Sequence, residues 1–290
     1  GRATGVAWYD RNGVVHRTRA PVVALASNGL GTARLMLLST SKRFPNGLAN
    51  DTDLVGRRLM HHPTGMVTGR FTEAMDGWAG PFAVSILSQQ FYETNPSHDF
   101  VRGYQMQLIR SDGPVGTAVG GYLPRVPWGE GHHARFREVF GHTASLTVTT
   151  EDLPRMENRV TLSDHLTDSD NIPAPKMTYS LDDNTNRMIA HGIDSATRAF
   201  TEAGAADITA QSLVADAGFH LLGTACMGSD PDSSVTDANS RAHAVPNLLI
   251  LDGSVFTTAA ALNPTSTIQA LALRAADALV RDRAEMQVAS

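Results

Sequence analysis

The sequence predicts α/β structure at both ends of the chain with a long antiparallel β segment between them. Three observations carry this. An apolar run at 22–26 passes through Gly29 and Gly31 into a helical pattern. A second apolar run at 247–251 is followed by the helical stretch 265–280. Between them, from about 45 to 215, short alternating runs are broken by Gly, Pro, Asn and Asp. The expected division is residues 1–44 and 216–290 as two pieces of one domain, bracketing an antiparallel-sheet domain over 45–215.

Taken in order, residues 5–10 and 14–19 flank Arg11-Asn12-Gly13, a tight-turn signal that predicts a hairpin. Val22 to Ala26 is a short continuous apolar run of the kind buried on both faces of a sheet. The two glycines then turn the chain into a helix over 32–39. In the middle, Met66–Phe71, Tyr104–Ile109 and Ala144–Thr149 read as antiparallel strands with one solvated face. Met188, Ile189, Ile193, Ala196 and Phe200 recur at helical spacing and predict a helix near 184–203 packed on that sheet. The final helix carries Ile268, Ala272, Ala275 and Leu279 on one side.

Composition excludes several classes. A chain of 290 residues that is 42% hydrophobic buries a substantial core. A net charge of −5 with scattered arginines offers no basic field for nucleic acid. No apolar run approaches the roughly 18 to 20 residues that span a bilayer. The single cysteine, Cys226, rules out an internal disulfide and reads as a small buried hydrophobe. The opening residues carry no secretory signal pattern, and the compartment stays open. The doublets His61-His62 and His132-His133 invite a metal reading. Adjacent strand residues point to opposite faces, however, and no carboxylate or cysteine sits at ligand spacing, so no metal is expected. There is no Gly-x-Ser-x-Gly elbow, phosphate-binding Gly-Lys pair or His-Glu-x-x-His.

The distinctive residues cluster late: His220-Leu221-Leu222-Gly223-Thr224, the strand ending in Asp252-Gly253, and Asn263-Pro264-Thr265-Ser266-Thr267 opening the last helix. This set resembles the C-terminal signature of the glucose-methanol-choline (GMC) oxidoreductases. The Asn-Pro-Thr form is most similar to that of pyranose oxidase and of gluconate and sorbitol dehydrogenase flavoprotein subunits. Gly29-Leu30-Gly31-Thr32-Ala33 resembles the family's second signature without its usual trailing glycines. Leu59-Met60-His61-His62-Pro63 resembles its Leu-x-Asp-His-Pro segment, with His61 in place of the acid. The middle of the chain matches only loosely, through 151–154 and 158–162.

The resemblance implies FAD as cofactor and an incomplete Rossmann-like FAD-binding domain around a substrate-binding domain. It implies oxidation of a sugar, glycoside or polyol hydroxyl by hydride transfer to flavin N5. The residue types suit that chemistry. An imidazole with an ordinary pKa near 6.5 can take a hydroxyl proton at neutral pH, which makes His220 the expected base. An amide both donates and accepts, so Asn263 would hold the hydroxyl, and it is also a good helix N-cap. The amino end of the last helix, with Pro264 at its first position and Thr265 behind, would face the reduced flavin. Asp252 resembles the family acid that binds the flavin's ribityl or pyrophosphate portion, and Ala26, Gly29 and Gly253 would allow close backbone approach.

No Gly-x-Gly-x-x-Gly occurs among the 25 glycines. The expectation is therefore a C-terminal portion that binds FAD poorly alone and has a missing N-terminal FAD-binding segment or chain as partner. Two other readings stay open at this level. One is a hydroxynitrile lyase-like member of the same fold; the other is a non-catalytic chain completing a separate FAD-binding polypeptide.

Overall fold

Asp10 closes the first hairpin: its Oδ1 accepts from the Asn12 and Val14 amides, and Gly13 takes the left-handed conformation, φ 75°, that the three-residue loop requires. Strands β1 (Gly5–Tyr9) and β2 (Val15–Arg19) pair antiparallel from that loop, with Gly5 opposite Arg19. The computed structural model describes residues 1–80, 84–120, 126–215 and 217–282.

The two ends of the chain meet in one sheet. Strand β3 (Val23–Leu25) pairs parallel with β12 (Val245–Ile250), Val23 opposite Leu248, and β11 (Arg241–Ala242) flanks β12 on the other side. Helix α1 spans Asn28–Leu38, so Gly29 and Gly31 lie inside its first turn rather than ahead of a helix starting at 32. The reason is local. Asn28 sits at φ 63° and its Oδ1 accepts from the amides of Leu30 and Gly31, which starts the helix four residues earlier. The buried side chains of this unit include Val23, Leu25, Met36, Leu222, Leu248 and Ile250. They also include Phe44, Ala49, Leu54, Val55 and Met60, so its core takes in residues beyond the expected boundary at 45.

A second core lies under the five-stranded antiparallel sheet β10-β4-β7-β6-β5. Its strands are β4 (Thr64–Arg70), β5 (Val84–Ser88), β6 (Tyr104–Arg110), β7 (Thr143–Thr150) and β10 (Asp207–Gln211). Side chains alternate across it. Val67, Tyr104, Met106, Ala144 and Val148 pack against Met188, Ala196 and Phe200 of α4 (Asp183–Glu202), whose first turn is capped by Asp182 accepting from the Thr185 amide at 2.7 Å. The opposite face was expected to be solvated, yet Thr64, Gln105, Gln107, Thr147 and Thr149 on it are buried. Its residues are hydroxyls and amides rather than long charged side chains, and a segment of the C-terminal region lies over them.

The remaining elements are the hairpin β8 (Arg159–Thr167) and β9 (Pro173–Thr178), the short helices α2 (Pro114–Val119) and α3 (His132–Val139), and α5 (Thr265–Arg281). The β8–β9 hairpin packs on α1 through Val160, Leu59 and Ala33 and through Arg34 paired with Asp168 at 2.7 Å. His132 and His133 open helix α3, so the strand argument used for that doublet does not hold.

The two units are joined where residues 56–60 run antiparallel to 222–224. Met60 and Leu222 exchange both backbone hydrogen bonds at 3.0 Å, the Gly56 amide donates to the Thr224 carbonyl, and the Thr224 amide donates to that of Arg57. Gly223 sits in the middle at φ 79°, where a Cβ would lie 1.9 Å from the Arg58 carbonyl oxygen. Gly223→Ala therefore meets both a disfavoured backbone conformation and a backbone wall, and is expected to cost about 3 kcal/mol or more. Gly13→Ala meets the conformational penalty alone and should cost about 1 kcal/mol. Urea denaturation of the two variants checks the contrast.

Candidate active site

The pairing of Met60 with Leu222 dictates what comes next along both strands. Two residues further in the same antiparallel register, position 62 falls opposite position 220. His62 Nδ1 and His220 Nδ1 accordingly lie 2.7 Å apart, with their rings edge to face. The other nitrogen of His62, Nε2, donates to the Ala259 carbonyl at 3.1 Å. His220 itself has φ 59°, a left-handed conformation that costs energy in a non-glycine residue and that the surrounding chain must hold.

These histidines border a cavity of about 180 Å³. Its floor is the second face of the sheet, where Thr64, Gln107, Thr147 and Thr149 stand beside Met66 and Ile109, and Phe219, His220 and Asn263 also line it. The structure thus brings His220 and Asn263 to one cavity. Asn263 is not the cap of the last helix: Pro264 holds that position in helical conformation and accepts from the Ile268 amide, while Asn263 stands one residue outside it, exposed. The loop before it is pinned by Thr258, whose hydroxyl donates to Glu151, and by the bond from His62 to Ala259.

Burial sets the charge state of the ring pair. It pushes the His62 pKa down to about 4 and lowers that of His220 below its ordinary value. Both are neutral at neutral pH, the form in which a histidine can accept a proton. On the far side of the 60–62 segment, Asp152 accepts from the His61 amide at 3.2 Å and from the Tyr179 hydroxyl at 2.7 Å. Burial raises its carboxyl to about 6. His61 faces this side, edge-on to Tyr179, so the two members of the doublet point in opposite directions.

The residues expected to contact a cofactor separate into two groups. Ala26 and Thr265 are exposed, at the end of β3 and the start of α5, and the first turn of α5 has no side-chain cap. Pro264 is buried and sets the helix start. Gly29 and Gly253 are instead occupied by this chain's own backbone. A Cβ on Gly29 would lie 2.7 Å, and one on Gly253 2.9 Å, from the Leu221 carbonyl oxygen. Asp252 is buried, its Oδ2 accepting from Thr32 Oγ1 at 2.6 Å and its Oδ1 from the Ser254 amide at 2.8 Å. Among the described residues no three His, Cys, Asp or Glu side chains converge as a metal site would require, and no helix is long and apolar enough to cross a membrane.

Sequence reasoning missed His62 as a partner of His220, weighing it only for metal binding and as part of a motif resemblance. The threonine and glutamine floor was also missed. A signal for it was present, since the polar positions of β4, β6 and β7 carry hydroxyls and amides where a solvated face would carry charges.

The fold, with its helices and antiparallel sheet, has counterparts among known proteins. Residues 154–272 match the family model for GMC oxidoreductase, so the chain carries that family's C-terminal domain. It is 39% identical to 2-methyl-1,2-propanediol dehydrogenase of Mycolicibacterium austroafricanum, over 97% of this chain and 52% of that protein. It is 31% identical to the fructose dehydrogenase large subunit of Gluconobacter japonicus, over 97% of this chain and 51% of that one. The chain thus spans about half the length of these relatives. In fold it is similar to a variant of formate oxidase from Aspergillus oryzae, with a TM-score of 0.66 at 15% identity, over 98% of this chain and 58% of that one.

The Asp152 environment makes a testable statement. Its folded pKa of about 6 lies above the unfolded value, so between roughly pH 4 and 6 the folded state binds more protons and this group's contribution to stability falls as pH rises. His62, with its pKa lowered, contributes in the opposite direction over the same range. Asp152→Asn isolates the first effect. The stability of the variant relative to the parent should rise by about 2 kcal/mol from pH 4 to 6 and stay level above, as measured by denaturation across that range.

Proposed function

We propose that this chain is the substrate-facing, proton-handling part of an FAD-dependent GMC-type dehydrogenase or oxidase acting on a hydroxyl of a sugar, glycoside or polyol. The observation that carries the reading is that His220 and Asn263, far apart in sequence, border the same cavity, with His220 neutral and its ring anchored by His62. The activities for which the relatives are named, on a diol and on fructose, are consistent with a hydroxyl substrate. The floor sets the hydroxyls and amide of Thr64, Gln107, Thr147 and Thr149 beside Met66 and Ile109, a mixed lining that suits a small hydroxyl-bearing ligand.

FAD, held beside this cavity, would supply the hydride acceptor for the alcohol carbon. The residues of this chain do the rest. His220 takes the hydroxyl proton on the ring nitrogen not engaged by His62, and its lowered pKa keeps that nitrogen unprotonated at neutral pH. Asn263 holds the hydroxyl and so orients the carbon. The exposed, uncapped amino end of α5 at Thr265 offers free amides and positive potential, which fits the anionic pyrimidine end of a reduced flavin. Ala26, Asn263 and Thr265 would touch the cofactor. Asp252, Gly29, Gly253 and Pro264 would support it from beneath by fixing the 26–32 and 221–224 segments and the helix start.

In the flavin-loaded protein, His220→Ala should slow anaerobic flavin reduction by about 100-fold or more, and Asn263→Ala by about 10- to 100-fold, with flavin retained. The parent's acid limb in kcat/KM should titrate below pH 6.5 and vanish in His220→Ala. Stopped-flow absorbance of the flavin measures both, and unchanged reduction rates in both variants would refute the assignment.

A further inference from the structure

The Ala259 carbonyl can only accept a hydrogen bond, so the ring nitrogen that meets it must carry a hydrogen. A neutral imidazole carries one hydrogen, and burial keeps His62 neutral down to about pH 4. With Nε2 protonated, His62 Nδ1 is a bare acceptor. It lies 2.7 Å from His220 Nδ1, and two lone pairs cannot face each other at that distance, so His220 must supply the hydrogen. Its Nε2 is then left unprotonated. That atom makes no hydrogen bond among the described residues and is not sealed in the interior, although His220 is half-buried on the cavity rim.

We infer that His62 is a positioning residue that holds His220 in its Nδ1–H tautomer, leaving Nε2 as the basic atom turned to the substrate. This rests on the reading of His220 as the base, and it adds which atom acts and what enforces it. The Ala259 carbonyl, in the loop leading to Asn263, orients His62, and His62 orients His220. One backbone oxygen therefore sets the proton arrangement of the base and belongs to the loop that places the amide. His61 cannot substitute, because it faces Tyr179 on the other side of the segment.

The test begins with the chain labelled with ¹⁵N-histidine, with ¹H–¹⁵N correlations assigned by single substitutions. His220 should show a protonated Nδ1 and a bare Nε2, and His62 the reverse. In His62→Leu, which removes the acceptor at similar volume, His220 should shift toward the Nε2–H form. In His62→Asn, whose Oδ1 can accept where Nδ1 did, the Nδ1–H form should persist. A His220 that carries its hydrogen on Nε2 in the parent, or keeps one tautomer in His62→Leu, overturns the inference. The parent spectrum is decisive even if His62→Leu does not fold.

In the full-length, flavin-loaded enzyme, His62→Leu should slow flavin reduction about 10- to 100-fold with KM within about threefold, and His62→Asn should recover most of the loss. The two ideas fail separately. A fully active His220→Ala would remove the base reading while the tautomer spectra could still stand. An inactive His220→Ala beside a fully active His62→Leu would keep the base and remove the role of His62.

Discussion

The backbone pairing of residues 56–60 with 222–224 is the constraint from which the rest of the structure follows. It seals the first core by placing Val55, Met60 and Leu222 among the side chains around β3 and β12. It also aims both strands at the cavity, so the next residues on each, His62 and His220, must meet. The pairing succeeds only because the 221–224 segment is hemmed in by glycine. Gly223 allows the left-handed turn against Arg58, and Gly29 and Gly253 leave room for the Leu221 backbone between α1 and the turn after β12. These glycines act first on the polypeptide, and any cofactor contact they have is set through it.

Around this junction, hydrogen bonds across long sequence separations do the positioning. Thr32 to Asp252 ties the start of α1 to the end of β12, and Thr224 Oγ1 donates to the Gly29 carbonyl at 2.8 Å. Asp152, Tyr179 and His61 brace the segment from behind, while His62 and Ala259 close it in front. A buried carboxyl raised to about 6 is costly to keep charged, and its two donors are what make it tolerable there. The site is thus assembled on rigid backbone rather than on a free loop, consistent with the strained φ of His220 being retained.

The sheet shows how far local pattern reading extends. Tyr104, Met106 and Val148 were legible as one face of alternating strands, and α4 was legible from its apolar stripe, because each periodicity is a property of a single element. The second face could not be assigned the same way. Thr147 and Gln107 are polar and satisfy a period-two pattern equally well whether water or another part of the chain covers them. That covering arrives from Val214, Ala217, Phe219, His220 and Asn263, far away in sequence. The start of α1 was misplaced for a related reason: the Asn28 side chain replaces missing backbone partners, which no glycine count reveals.

The sequence by itself determined that the chain is α/β at its ends and antiparallel in the middle, and its motifs singled out His220 and Asn263 as candidates. Those conclusions rest on periodicity and on residue type, which are local. Tertiary structure alone decided that the two residues share a cavity, that the threonines and glutamine of its floor are buried, and that His62 stands against His220. Register between two strands separated by about 160 residues decides that last contact, since the distance from His62 to His220 along the chain is 158 positions and nothing in either segment names the other. A shift of one residue would have turned His61 toward the cavity and left His220 without its partner.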